Sequence, residues 1–159
     1  MDKLLRLLSE NSDYTVAELS LILGEDEETV ESRIKAYENN GIIKGHRAIV
    51  DFENVEDSGV TAYIELKVTP QKEKGFDEIA EKIMRFDEVA SVYLMAGTYD
   101  LALIVKGDTI QEISSFVSRK LSALDGILST ATHFILKRYK DDGVILADIP
   151  EDERRCMQF

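Results

Sequence analysis

The sequence predicts an α+β protein made of two units, and three observations support this prediction. Three apolar stripes at helical spacing lie within the first 40 residues. At Val60 the apolar residues change from helical spacing to strict alternation. From there the predicted order is strand, helix, strand and then strand, helix, strand again. A polar, acidic stretch around residues 51–59 separates the two parts.

The N-terminal unit opens with three predicted helices. The first carries a leucine stripe, formed by Leu4, Leu5, Leu7 and Leu8. Thr15 is the predicted N-cap of the second helix and Gly24 its end. Asp26 is the predicted N-cap of the third helix, which ends at Asn40-Gly41. Two helices joined by a tight glycine turn are typical of a helix-turn-helix, in which one helix braces the next.

A small hairpin is predicted directly after the third helix. Its strands would be Ile42-Ile43 and Ala48-Ile49-Val50, joined by Lys44-Gly45-His46-Arg47. Together with the three helices, it predicts a winged helix-turn-helix DNA-binding domain over residues 1–52, followed by a linker over residues 53–59.

The second unit is predicted over residues 60–139. Val60 to Val68 alternate as a strand, and a helix with Ile79 and Ile83 inward follows. A second helix carries Ile113 and Phe116, and the last strand is expected over Ile127 to Tyr139. This order predicts a ferredoxin-like βαββαβ sandwich with an antiparallel sheet. Both helices would cover one sheet face, and the bare face predicts at least a homodimer.

The remaining two strands of this unit form a predicted hairpin. Val89 to Met95 and Leu101 to Val105 are apolar almost throughout, so both are expected mid-sheet. Gly97-Thr98-Tyr99-Asp100 joins them, with a residue that can take positive φ, a hydroxyl, an aromatic ring and a carboxylate. These residues are binding candidates, although Gly and Asp also simply suit a tight turn.

Residues 140–159 are predicted to form a C-terminal extension that packs on a neighbour or frays. It holds the apolar Val144-Ile145-Leu146 and a charged run from Pro150 to Arg155. The only cysteine, Cys156, cannot form an intrachain disulfide, which suits a reducing cytosol. No apolar run approaches the roughly 18 residues that span a bilayer, and no signal peptide is evident, so we expect a cytoplasmic protein.

The formal net charge of −12 argues against a chain that coats nucleic acid non-specifically and against a basic membrane-surface protein. It leaves room for a local basic site, because charges more than about 8 Å apart are largely screened at physiological salt.

With both units in view, the chain resembles the Lrp/AsnC family of feast/famine regulators. Its first half follows the family's helix-turn-helix pattern at Ala17-Glu18-Leu19-Ser20, Gly24, Thr29-Val30, Arg33-Ile34, Glu38, Gly41-Ile42-Ile43 and Gly45. Its second half has the family's Gly-x-x-Asp turn at Gly97 to Asp100 and its Thr-x-Thr strand at Thr130 to Thr132. The joint order of these motifs extends over about 140 residues.

The resemblance implies a transcription regulator that dimerises through its second domain and assembles into tetramers or octamers. It also implies that an amino acid or related metabolite binds between dimers and shifts assembly or DNA affinity. The predicted effector-binding residues are Gly97, Thr98, Tyr99, Asp100 and, from an adjoining subunit, Thr130 and Thr132. Both threonines are also ordinary strand residues.

Operator DNA is the predicted partner of the first domain. The side chains best placed to reach it are Thr29, Ser32, Arg33, Lys35, Lys44, His46 and Arg47. The third helix departs from the family because it opens on four acids, Glu25-Asp26-Glu27-Glu28. Residues 1–52 carry six basic and eleven acidic side chains, a net charge of −5. Such a domain would make few phosphate contacts, and Arg33 could equally bridge to an acidic neighbour.

Two alternatives follow from this departure and from the fold. One is a ligand-sensing or assembly protein of the same fold that has lost DNA binding. The other, much less favoured, is an enzyme, because siroheme decarboxylases resemble the family in both domains and only His46-Arg47 points that way. No catalytic motif stands out, and His46 and His133 lie apart without a ligand cluster, so we expect neither enzyme activity, nor a cofactor, nor a metal site.

Overall fold

The computed structural model describes residues 2–56, 58–70 and 75–147. The chain divides into two compact units, Met1–Ile49 and Val50–Phe159. The predicted charged run at 150–155 and Cys156 lie outside the described residues. Within the part of the chain described, no helix has both the length and the apolar character needed to cross a bilayer.

Three helices make up the first unit: α1 over Lys3–Glu10, α2 over Val16–Leu23 and α3 over Glu27–Asn39. Their buried centre is small and consists of Leu4, Leu19 and Val30, one side chain from each helix. Partly buried neighbours such as Ile34 and Tyr37 complete this core. The three predicted helices are therefore confirmed.

Capping side chains set the starts of these helices. Thr15 and Glu18 form a reciprocal capping box at the start of α2, and Asp26 accepts hydrogen bonds from the amide and hydroxyl of Thr29 at the start of α3. Gly24 ends α2 in the left-handed conformation, with φ 71°, which a residue with a Cβ atom rarely adopts. The predicted caps and the glycine turn between α2 and α3 are confirmed.

The hairpin predicted over residues 42–50 is wrong, because this segment contains no strand. The end of α3 explains the difference. Gly41 is left-handed, and the amides of Ile42 and Ile43 both donate to the carbonyl of Tyr37, at 2.8 and 3.2 Å. These amides close the helix end and cannot also pair with a strand. A lone hairpin of two or three residues a side is also barely stable in water.

The second unit is an antiparallel sheet covered on one face by two helices, so the predicted ferredoxin-like arrangement is confirmed. Its strands are β1 (Val60–Val68), β2 (Val89–Leu94), β3 (Leu101–Gly107) and β4 (Ile127–Phe134), in the spatial order β2-β3-β1-β4. Helix α4 spans Asp77–Ile83, and α5 spans Ile110–Phe116 and continues as one π turn over Val117–Leu121.

The core of this unit lies between the helices and one sheet face. Every second residue of β1, from Ala62 to Val68, is buried against side chains of both helices, as the alternating pattern predicts. The directly opposed residues on β3, Leu101, Leu103 and Val105, point to the same face. The opposite face, hereafter the open face, carries Tyr63, Glu65, Ser91, Tyr93, Ala102, Ile104, Ala131 and His133.

Two strand predictions need correction. Strand β2 is an edge strand rather than a central one, and its Tyr93 and Leu94 are exposed. Strand β4 ends at Phe134 rather than Tyr139. Its partner β1 begins at Val60, so once the amide of Ile135 has bonded to the carbonyl of Thr61 at 2.9 Å little backbone remains to pair.

The first part of the extension forms a short hairpin that the sequence analysis does not predict. Strands β5 (Lys140–Asp141) and β6 (Val144–Ile145) pair antiparallel around Asp142-Gly143. Both turn residues have positive φ, 42° and 89°, as in the type I′ turn that Asp-Gly favours. This hairpin pairs residues 140–141 with residues 144–145.

Candidate functional site

The turn between β2 and β3 lines a shallow cavity of about 200 Å³. The lining residues come from the turn and from the open face: Tyr63, Glu65, Met95, Ala96, Gly97, Thr98, Tyr99 and Ala102. This volume is below the roughly 300–1,000 Å³ of pockets for drug-sized ligands, so it suits a small metabolite. Sequence reasoning pointed to the turn, but not to Tyr63 and Glu65.

Asp100 anchors the turn to the neighbouring strand. Its Oδ2 atom accepts a hydrogen bond from the amide of Val68 at 2.9 Å, and its own amide donates to the carbonyl of Leu66 at 3.0 Å. Its carbonyl accepts from the amide of Met95 at 2.8 Å, which closes the loop. The carboxylate thus supplies an acceptor for the amide of Val68, which lies beyond Leu66, the last β1 residue that pairs with β3.

Gly97 does not use the conformational freedom expected of it. Its φ is not in the left-handed region, and a Cβ atom built on it would meet nothing within 4 Å. The amides of Gly97, Thr98 and Tyr99 donate no hydrogen bond to any described residue. A methyl group at this position would therefore meet no neighbouring atom, and three main-chain donors are available along the turn.

Thr130 and Thr132 do not line this cavity in the same chain. They oppose Leu66 and Ile64 of β1, so their side chains are on the helix-covered face, whereas the cavity opens on the other face. The structure of one chain thus separates the two predicted halves of the effector site.

Glu65 has a histidine beside it on the open face. Its Oε2 atom lies 3.3 Å from Nε2 of His133, whose ring in turn contacts that of Tyr63, with the centroids 6.3 Å apart. In the residues that the structure describes, no group of three or more His, Cys, Asp or Glu side chains is arranged to hold a metal ion.

The predicted DNA-contacting residues of the first unit include two cations on α3, and both are ion-paired. Arg33 spans two carboxylates: one Nη atom lies 2.6 Å from a Glu25 oxygen, and the other lies 2.8 Å from an Asp2 oxygen. The hydrogen bond with Glu25 and the two negative charges raise the pKa of Arg33 above its usual value. Lys35 pairs with Glu31 one turn away at 2.7 Å.

The acidic start of α3 is stabilised by its own contacts. Hydrogen bonds from the hydroxyl and amide of Thr29 lower the pKa of Asp26 below its usual value. Thr29 and Ser32 are exposed, as are Glu27 and Glu28. The N-terminal end of the helix therefore presents carboxylates. They stabilise the helix through its dipole but would repel phosphate.

The predicted contacts after α3 are all exposed. The Lys44 ammonium folds back over Gly41, where an added Cβ atom would lie 2.8 Å from Nζ. His46 Nε2 lies 3.9 Å from a Glu38 oxygen, a pair that is ionic only when the imidazole is protonated. Arg47 is also exposed. With no hairpin to present them, these three side chains lie on a segment without regular secondary structure.

Known proteins of similar sequence identify the family of this chain. The family model described as the Lrp/AsnC ligand binding domain matches residues 61–145. An uncharacterized HTH-type transcriptional regulator of Bacillus subtilis, YugG, is 42% identical over 96% of this chain and 92% of its own length. The HTH-type transcriptional regulator LrpA of Pyrococcus abyssi is 30% identical over 86% of this chain and 94% of its own.

Solved structures show the same architecture. A transcriptional regulator of Neisseria meningitidis, determined as a complex with L-Met, has a TM-score of 0.68 and 27% identity. The alignment covers 89% of this chain and 93% of that one. AsnC of E. coli aligns with a TM-score of 0.64 and 26% identity, over 87% and 93% of the two chains. The described fold, the matched domain and these relatives together place the chain in the Lrp/AsnC family.

Proposed function

We propose that this protein is a cytoplasmic DNA-binding transcription regulator whose C-terminal unit senses an amino acid or a related small metabolite. The observation that supports it most is the combination of a capped α2–α3 pair joined at left-handed Gly24 with a small cavity at the Gly97 to Asp100 turn. Relatives of the whole chain are named as HTH-type transcriptional regulators, and a solved relative holds L-Met.

The two domains have separate tasks in this proposal. Residues 1–52 bind operator DNA through Thr29, Ser32, Lys35 and the segment with Lys44, His46 and Arg47. Residues 60–139 bind the effector and form the oligomer. Gly97, Thr98 and Tyr99 contact the effector, Asp100 holds their turn in place, and Thr130 and Thr132 of an adjoining subunit complete the site.

The oligomer is a homodimer that assembles further into a tetramer or octamer. The open face supports this part of the proposal, because it carries Tyr63, Tyr93 and Ile104 with no described helix of the chain over them. Effector binding changes the assembly and so the spacing of paired operator half-sites, which are read about one helical turn apart or a multiple of it.

Fluorescence anisotropy tests DNA binding directly. Labelled duplexes from upstream of the protein's own gene are titrated at low salt, with a shuffled duplex as control. We expect binding in the micromolar range or tighter, helped by several DNA-binding units on one oligomer. A flat titration up to tens of micromolar would contradict the proposal.

A second candidate is a sensing or assembly protein of the same fold without DNA binding. It is supported by α3, where both cations are ion-paired and the helix start is acidic. Amino-acid binding together with a flat DNA titration would favour this candidate. Thermal-shift screening of the twenty amino acids, followed by light scattering, would test the amino-acid binding.

A further inference from the structure

The ring of Phe52, at the start of the acidic segment 51–59, contacts two cations of the second unit. The Nζ atom of Lys106 lies 5.5 Å from the centre of the ring, and the guanidinium carbon of Arg138 lies 5.8 Å from it. A cation within about 6 Å of the centre of an aromatic face is attracted to the ring. Phe52 itself belongs to the second compact unit, so these contacts lie within one unit. Phe52, Lys106 and Arg138 are hereafter called the linker dock.

The two cations of the linker dock are held at the end of the sheet farthest from the Gly97 to Asp100 turn. Lys106 is the last residue but one of β3 and lies directly opposite Thr61 of β1. Arg138 donates a hydrogen bond to the hydroxyl of Thr61 at 2.7 Å. A guanidinium can stack on an aromatic ring while its N–H groups remain bonded. The hydroxyl of Thr61 therefore fixes one of the two cations that contact the ring.

The other end of segment 51–59 is held by a close main-chain contact. Gly59 has φ 71°, and a Cβ atom built on it would lie 2.8 Å from the carbonyl oxygen of Gly107. A residue with a side chain would not allow this approach. Lys106 and Gly107 are the last two residues of β3. The segment is thus attached at both ends to the same strand end.

Strand β3 also leads to the candidate effector turn. Its other end, Leu101, directly follows Asp100, and its Leu101, Leu103 and Val105 are buried in the core. The turn and the linker dock are therefore joined to opposite ends of one tightly packed strand.

We propose that Phe52 is a positioning residue for DNA binding: its contacts with Lys106 and Arg138 fix the point at which the chain leaves the C-terminal unit, so that an oligomer presents its DNA-binding units at a set spacing. This proposal rests on the proposed DNA binding. The linker dock lies at one end of the open face, next to the Tyr63 and Ile104 pair, and its role does not require access to solvent.

The linker dock can be tested without DNA or effector. Hydrogen exchange in the full-length protein, read by mass spectrometry and divided by the intrinsic rates, follows the amides of Asn54 and Val55, which donate to the carbonyls of Asp51 and Phe52. The ring of Phe52 is 38% exposed, so each cation should contribute as at an exposed site. We expect Phe52→Ala to exchange about 5- to 30-fold faster than the wild type.

Two further variants show which contact is responsible. Lys106→Gln removes one of the two cations and should speed exchange about two- to fivefold. Val55→Ala is the matched control, because it shortens another exposed apolar side chain of the same segment. It should change the corrected exchange rates by less than about twofold.

The effect on DNA is tested by changing the spacing of half-sites. A duplex that the wild type binds is compared in anisotropy titrations with versions that have 5 or 10 base pairs inserted between the half-sites. Five base pairs turn one half-site to the opposite side of the duplex, and ten restore its direction. We expect the wild type to bind the 5-base-pair version about tenfold more weakly than the 10-base-pair version, and Phe52→Ala to bind the two within about threefold.

Each contrary result has a distinct meaning. Unchanged exchange in Phe52→Ala would overturn the linker dock. Faster exchange with the wild-type preference for spacing would overturn the positioning role. A Phe52→Ala protein that light scattering found to be monomeric would overturn the assignment and place Phe52 between copies of the chain. A wild type that bound no DNA would overturn the proposed DNA binding and the positioning role with it, while the exchange rates would still decide whether the linker dock exists.

Discussion

The carboxylate of Asp100 accepts a hydrogen bond from the backbone amide of Val68 at 2.9 Å, so the residue before β3 is tied to the far end of β1. The amide of Asp100 adds a second tie, to the carbonyl of Leu66 at 3.0 Å. Because both bonds involve main-chain atoms of β1, the position of the turn depends on Asp100 more than on any packing of the exposed Gly97 and Thr98.

Replacement of Asp100 should therefore act through the turn. We expect Asp100→Ala to lower the free energy of unfolding by about 1–2 kcal/mol, since the Val68 amide loses its acceptor, and to weaken amino-acid binding while the oligomer stays intact. Asp100→Asn keeps an acceptor oxygen and should retain most of both. Denaturant unfolding, calorimetry and light scattering measure the three properties. If Asp100→Asn were as stable as the wild type but bound no effector, the charge itself would be contacting the ligand.

Arg33 is expected to stabilise the first unit rather than to bind DNA. Arg33→Gln leaves Asp2 and Glu25 without their shared cation, so the helical signal should melt at a clearly lower temperature in circular dichroism. Arg33→Lys should not restore it, because an ammonium cannot bond two carboxylates as a planar guanidinium does.

Lys35→Gln is the matched control for Arg33, on the same helix. Its pair with Glu31 is solvent-exposed, and exposed i,i+4 pairs contribute little. We expect Lys35→Gln to have an almost unchanged melting temperature. Its DNA affinity should fall more than that of Arg33→Gln, with both variants measured at a temperature where Arg33→Gln is folded. The reverse pattern in DNA affinity would place Arg33 at the phosphate backbone.

The cap of α3 should make stability depend on acid pH. Because the folded-state pKa of Asp26 is below its ordinary value of 3.8, the cap's contribution is fully present above that value and is lost as the pH falls through the lowered pKa. Thermal unfolding between pH 7 and pH 2 should show this loss. Asp26→Asn retains a capping oxygen but no titrating group, so its stability should fall less over the same range. Identical pH profiles would exclude Asp26 as a contributor.

The acidic start of α3 should limit affinity for DNA. Glu27 and Glu28 are exposed at the start of α3, and the double substitution Glu27→Gln/Glu28→Gln removes two negative charges from the helix proposed to approach DNA. We expect the Kd for operator DNA to fall several-fold in low-salt anisotropy, with a smaller gain at high salt. The matched substitution of two acids on α4, Glu78→Gln/Glu81→Gln, should leave the Kd unchanged. An equal gain from both pairs would indicate a general effect of net charge.

Local sequence signals were sufficient for the helices and for the order of the strands. Thr15, Gly24 and Asp26 act within one turn of their own positions, and the alternation from Val60 to Val68 follows directly from the pleat. The hairpin at Asp142-Gly143 also has a local signal, which sequence reasoning overlooked. In contrast, the edge position of β2 and the missing hairpin after α3 depend on which backbone groups find partners elsewhere.

The caps, the order of the elements and the turn that borders the cavity could be predicted from the sequence, because each depends on residues close together in the chain. The contacts of that turn depend on the tertiary fold. Asp100 meets Val68 across 32 residues of chain, and Glu65 meets His133 across 68. Strand register sets both contacts, and a shift by one residue would move every side chain to the other face. For this reason the contacts of Asp100 and Glu65 are visible only when β1, β3 and β4 lie side by side.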